Sequence, residues 1–129
     1  MDPSPCRDTP IVLVAEDEPL VRMVAVDILE DAGCAVLEAA NAEAALSVLH
    51  QRSDVRVLVT DVEMPPGPLN GFDLARLTRE RFPHMGVVIV SGKVSPSPGD
   101  LPSGARFVPK PYCATKLTRV VQEVMTRAA

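Results

Sequence analysis

Four stretches of this sequence place chemically competent side chains at or just beyond the end of apolar runs. Glu16-Asp17-Glu18 follows IVLVA, Asp61 follows VLVT, Ser91-Gly92 follows VVIV, and Lys110-Pro111 comes shortly after RFV. Carboxylates gathered in one place repel one another unless a proton or a cation intervenes. Their hard oxygens suit Mg²⁺, which takes one or two carboxylates together with water and a phosphate. A lysine ammonium and a serine hydroxyl beside them could hold a phosphoryl group delivered to a carboxylate nucleophile. Singly, each residue has an ordinary reading: Asp17 as a helix cap, Asp61 as a turn residue, Ser91 as a loop hydroxyl, Lys110 as a surface charge. The chemistry exists only if the fold gathers all four stretches.

The elements that must gather them are legible as alternation. The apolar runs Ile11–Ala15, Ala35–Ala39, Val57–Thr60, Val87–Val90 and Arg106–Val108 read as strands. Three of them are continuous and rich in Val and Ile, as expected of strands covered on both faces of a parallel sheet. Helical segments lie between. Pro19 opens the first and Gly33 can stop it in the left-handed conformation. Asn41 caps a second over Ala42–Gln51, a third runs from about Gly71 to Phe82 before Pro83, and a last one from about Ala114 to Ala128 carries Leu117, Val121 and Val124 on one face. Strand–helix alternation predicts an α/β fold with an open, doubly wound sheet. Such sheets bind ligands outside the carboxyl ends of their strands, where these residues lie. Between Ser91 and Arg106 the sequence SGKVSPSPGDLPSGAR leaves little room for a normal helix.

With 129 residues, 47% of them apolar, the chain has the size of one folded domain. A net charge of −4 without a Lys/Arg cluster argues against nucleic acid as a partner. No apolar run approaches a membrane span and no signal peptide opens the chain, so no membrane role is expected. Cys6, Cys34 and Cys113 are odd in number and widely spaced, which fits neither a disulfide framework nor a metal site and suggests a reducing, cytoplasmic location. Cys34 reads as a small core residue. Residues 1–10 read as a flexible, Pro-rich tail and 11–127 as the domain.

On the combination IVLVAEDEP, VLVTDVEMP, VVIVSG and FVPKPY, the sequence resembles the CheY-like receiver family of two-component signalling over roughly residues 10 to 127. The resemblance implies a five-stranded sheet of order 2-1-3-4-5 and a phosphorylation switch that needs Mg²⁺. It implies Asp61 as phosphoacceptor; Asp17, Asp61 and the main-chain carbonyl of Glu63 as metal ligands; and Glu16 acting through a metal-bound water. Ser91 would contact a phosphoryl oxygen and Lys110 would pair with the phosphoryl group, with Ser91 and Phe107 as switch residues. A cis Lys110–Pro111 peptide is also implied. The partners implied are a histidine kinase or phosphotransfer protein and a downstream protein target. The protein would catalyse its own phosphorylation and dephosphorylation without being a metabolic enzyme.

Three features depart from the family pattern. The loop between Met64 and Gly71, PPGPLN, is about two residues longer than the usual spacing. Pro96, Pro98 and Pro102 erode the fourth helix. No length remains after Lys110 for an effector domain, so a single-domain regulator is expected. Alternatives are an aspartate-nucleophile phosphatase of the haloacid dehalogenase type, a flavin-binding flavodoxin-like domain, and a non-phosphorylated pseudo-receiver serving as a binding module. The phosphatase normally places its nucleophile after the first strand, EDEP would repel the flavin phosphate, and the complete acid–Ser–Lys set argues against the pseudo-receiver. The first helix is apolar nearly all round, which leaves Met23 and Val26 expected at the surface and makes a homodimer through this helix and the last a possible outcome. Glu63 and Lys93 are expected at the rim of the site, able to bridge over it.

Overall fold

The structure is a computed structural model describing residues 9–65 and 67–128; most of the expected tail, with Cys6, lies outside the described residues. The chain forms β1 (Ile11–Ala15), α1 (Pro19–Asp31), β2 (Ala35–Ala39), α2 (Ala42–Gln51), β3 (Val55–Asp61), α3 (Gly71–Arg81), β4 (Gly86–Ser91), β5 (Arg106–Pro109) and α4 (Ala114–Ala128). All strand pairs are parallel, in the order β2-β1-β3-β4-β5. This is the expected doubly wound α/β sheet. β3 and β4 run longer than their apolar cores, so Asp61 and Ser91 are the last residues of their strands. Asp61 pairs with Val90 and Ser91 with Pro109, which ties both backbones to the ladder.

The alternating directions of strand side chains build a core on each face of the sheet. On one face Val12, Val14, Val57, Val59, Val88 and Val90 pack against Ala25, Val26 and Leu29 of α1 and Leu117, Val120, Val121 and Val124 of α4. On the other, Leu13, Ala15 and Leu58 pack against Ala42, Ala45 and Leu49 of α2 and Leu74 of α3. Burying each large side chain contributes about 1.5–3 kcal/mol. Cys34 packs against the first of these clusters, and burial raises its thiol pKa. It is a packing residue, as expected.

The helix ends obey local rules. Asn41 Oδ1 accepts from Ala44 N at 2.7 Å. Asn70 and Asp73 form a reciprocal capping box at 2.9 and 3.0 Å. At the end of α1, Gly33 sits at φ +96°; its N–H reaches Glu30 O and that of Cys34 reaches Leu29 O, both at 3.0 Å, the paired bonds of a Schellman stop.

The stretch between β4 and β5 holds no helix. Turns replace it, with Asp100 Oδ2 accepting from Ser97 N at 2.7 Å and Ala105 N donating to Pro102 O at 3.1 Å. Val94, Leu101 and Ala105 still cover the sheet face formed by Val87 and Ile89, beside Phe72 of α3. The prolines remove the helix but not the apolar cover. One expectation for α1 is corrected. Val26 is buried at 9% exposure, whereas Leu20, Met23 and Val24 are exposed at 73%, 53% and 54%. Val26 joins the cluster that contains α4, a neighbour that periodicity alone cannot show.

Candidate functional site

The strand order reverses between β1 and β3, and a cleft of about 350 Å³ opens at their carboxyl ends. Glu16, Asp17, Asp61, Glu63, Ser91, Lys93 and Lys110 all line it. Carboxylate oxygens of Glu16, Asp17 and Asp61 lie within 4.8 Å of one another. Lys110 Nζ sits between the buried Glu16 and the partly buried Asp61, 3.1 Å from Glu16 Oε1 and 3.6 Å from Asp61 Oδ1. The Lys110–Pro111 peptide is cis, as expected.

Glu16 is the innermost acid, at 4% exposure. Besides Lys110, its carboxylate accepts from the backbone N–H of Glu18 at 3.1 Å. Burial raises its pKa and the charge of Asp61 raises it further, against the opposing pull of the Glu18 N–H and Lys110. Asp61 Oδ1 accepts from Val62 N at 2.9 Å. Burial raises the Asp61 pKa, with Lys110 opposing and Asp17 adding to the rise. Burial disfavours the charged form of Lys110, but the charges of Asp61 and Glu16 outweigh it and its pKa ends above the usual value. The cleft therefore gathers more carboxylates than Lys110 and Lys93 together can neutralise.

A divalent cation fits this arrangement. The donors are hard oxygens, they converge, and their mutual repulsion is what a metal would relieve. Asp17 does not cap α1: the cap position is Glu18, whose own side chain makes no capping hydrogen bond. Asp17 is thus left at the cleft.

Ser91 is buried at 4% exposure. Its Oγ accepts from Lys93 N at 3.3 Å and Val94 N at 3.0 Å, and its carbonyl accepts from Lys110 N at 2.9 Å. Phe107 does not line the cleft. It packs with Val94, Leu101 and Ala105 behind it. Glu63 and Lys93 both reach the rim, but among the described residues they form no ion pair.

Comparison with known proteins agrees with this geometry. The family model for the response regulator receiver domain matches residues 12–122. The chain belongs to the response regulator receiver family. The receiver protein CpdR of Brucella abortus (strain 2308) is 30% identical to this receiver over 120 residues, covering 91% of the chain and 98% of CpdR. The sensor kinase CckA of the same organism is 34% identical over 120 residues, covering 90% of the chain but 12% of CckA. A crystal structure of the receiver domain from hybrid histidine kinase CckA superposes with a TM-score of 0.75 at 31% identity, covering 89% of this chain and 98% of that one. The receiver spans 12% to 26% of the length of four curated relatives, which are much longer proteins. Among its described residues no helix is long and apolar enough to cross a membrane.

Sequence reasoning missed three participants in this receiver's site: the Glu18 N–H, Arg22 and Gly71. Arg22 Nη1 donates to Glu16 O at 2.7 Å, while its Nε donates to Glu38 Oε1 on β2 at 3.0 Å. Gly71, first residue of α3, lies against the backbone of Asp61. A charged residue one turn into a helix and a glycine at a helix start carry no signal that separates these roles from ordinary ones.

Proposed function

We propose that this receiver is a phosphorylation switch in which Asp61 accepts a phosphoryl group from the phosphohistidine of a histidine kinase or phosphotransfer protein. The observation that carries the reading is the convergence of Asp61, two further carboxylates and the Lys110 ammonium at the strand ends. Asp61 Oδ1 is held by the Val62 N–H, which leaves Oδ2 as the nucleophile. Oδ2 forms the new bond to phosphorus as the bond from phosphorus to the donor nitrogen breaks, giving an acyl phosphate. Lys110, 3.6 Å from Asp61, pairs with the charge on the phosphoryl oxygens. The Ser91 oxygen already accepts two backbone N–H groups, so its own proton is available to donate to a phosphoryl oxygen. Asp17, Asp61 and the Glu63 carbonyl would hold Mg²⁺, with Glu16 acting through water. The ion supplies the charge neutralisation that lets an anionic carboxylate meet an anionic phosphoryl group.

Recruitment of Ser91 toward the phosphoryl group disturbs the start of the loop that Val94, Leu101 and Ala105 pin to the sheet. Phe107 packs in the same cluster and serves as the second switch residue. The altered surface is read by a protein target in the cytoplasm. Incubation with acetyl phosphate and Mg²⁺, followed by intact mass, tests the assignment. One phosphoryl adduct is expected, lost on chelation and in Asp61→Asn; an adduct that survives in Asp61→Asn sinks it.

A further inference from the structure

We propose that Arg22 is a positioning residue for the acidic site, bracing the peptide plane between Glu16 and Asp17 against β2. The inference rests on the function proposed above and extends it to a residue outside the cleft. The guanidinium is one-fifth exposed and spans two elements, with Nη1 on the Glu16 carbonyl at 2.7 Å and Nε on the Glu38 carboxylate at 3.0 Å. A peptide unit is rigid, so the Glu16 carbonyl moves together with the nitrogen and Cα of Asp17. Holding that oxygen fixes the N–Cα axis from which the Asp17 side chain leaves the backbone and so narrows the directions open to it. The preceding peptide plane is held from the same strand, because Glu16 N donates to Ala39 O at 3.0 Å. Both planes around Glu16 are therefore fixed from β2, one by a strand bond and one through Arg22.

The planar fork of arginine suits this task and lysine does not, since one ammonium cannot reproduce two donors in a fixed geometry. Partners that orient metal ligands typically contribute ten- to a hundredfold in affinity.

Charge and position predict opposite signs here. Arg22 is a cation near a site for a cation, so its removal by itself should tighten Mg²⁺ binding. Loss of the brace should weaken it.

The test compares wild type with Arg22→Met, Arg22→Lys and Glu38→Gln. Mg²⁺ affinity is measured by calorimetry, and amide exchange at Glu18 is measured in metal-free protein. The Glu18 N–H reports the site directly, because it donates to the Glu16 carboxylate. Expected results are a Kd raised at least tenfold and Glu18 exchange several-fold faster in Arg22→Met. Arg22→Lys should bind closer to Arg22→Met than to wild type, and Glu38→Gln, which keeps an acceptor, close to wild type. An unchanged or lower Kd in Arg22→Met overturns the proposal, as does unchanged exchange at Glu18. A purely structural role would lower the melting temperature and leave the Kd of the folded protein alone. If wild type binds no Mg²⁺, the function proposed above fails, while the metal-free exchange still decides whether Arg22 positions the turn.

Discussion

Replacing Gly71 with alanine should damage both stability and phosphorylation, for a reason that can be worked from distances. A Cβ at this position would sit 2.0 Å from Asp61 O, 2.8 Å from Asp61 C and 2.9 Å from Val62 Cα. All three atoms are backbone, so no side-chain rotation relieves the contact. Real Cβ contacts essentially never fall under 3.0 Å, so the start of α3 and the end of β3 must part by about 1 Å. Overpacking of this kind costs about 1–3 kcal/mol. Parting the segments also stretches the 2.8 Å bond from Gly71 N to Val62 O, worth about 0.5–1.5 kcal/mol. A total near 3 kcal/mol lowers Tm by roughly 10 °C in a domain of this size. Because the displaced group is the backbone of Asp61, phosphorylation should fall about a hundredfold even at temperatures where the variant is folded, as expected for a misplacement near 1 Å. Thermal melting and the rate of adduct formation from acetyl phosphate measure the two effects. Gly33→Ala is the control: its φ of +96° imposes strain of about 1–2 kcal/mol, but nothing lies within 4 Å of the new Cβ, and labelling should be unchanged. Wild-type melting and labelling in Gly71→Ala would refute the reasoning.

In metal-free protein the folded pKa values of Glu16 and Asp61 are raised, chiefly by burial. The native state then holds these protons more tightly than the unfolded chain. That preference is fully present below the ordinary carboxylate range near about 4 and is lost as pH rises through the folded values. Magnesium at a hundredfold excess over its Kd should therefore add about 2.7 kcal/mol, roughly 10 °C in Tm, at pH 8 and clearly less at pH 4.5; equal shifts, or none, contradict this. Glu63→Ala combined with Lys93→Ala opens the rim of the cleft to water and should shorten the lifetime of the phosphoryl group, and a dephosphorylation rate equal to or slower than wild type would remove the idea of a screen. Amide exchange across residues 94–104 should be fast, since turns replace a helix there, and protection like that of α3 would show otherwise.

The fold was legible because its signals are local and repeated. Val- and Ile-rich runs require cover on both faces, Asn41 marks a helix start, and Gly33 marks a stop. The chemistry was legible for a related reason. Parallel strands all end on one side, so residues that follow apolar runs converge whatever the details of packing. Asp17, Asp61 and Lys110 were found in that way. The loss of a helix between β4 and β5 could be read from Pro96, Pro98 and Pro102, because proline acts through its own backbone.

What only the tertiary structure decided are relations between segments distant in the chain. That Val26 is buried depends on α4 lying alongside α1. That Gly71 must be glycine depends on how closely α3 approaches the end of β3. That Arg22 reaches Glu38, sixteen residues further on, depends on β2 lying at the sheet edge beside β1. Periodicity reports which face of an element is apolar, and a motif reports which atoms are available. Neither reports which neighbour arrives at that face, and burial, raised carboxylate pKa values and the bracing of the Glu16 turn all follow from those neighbours.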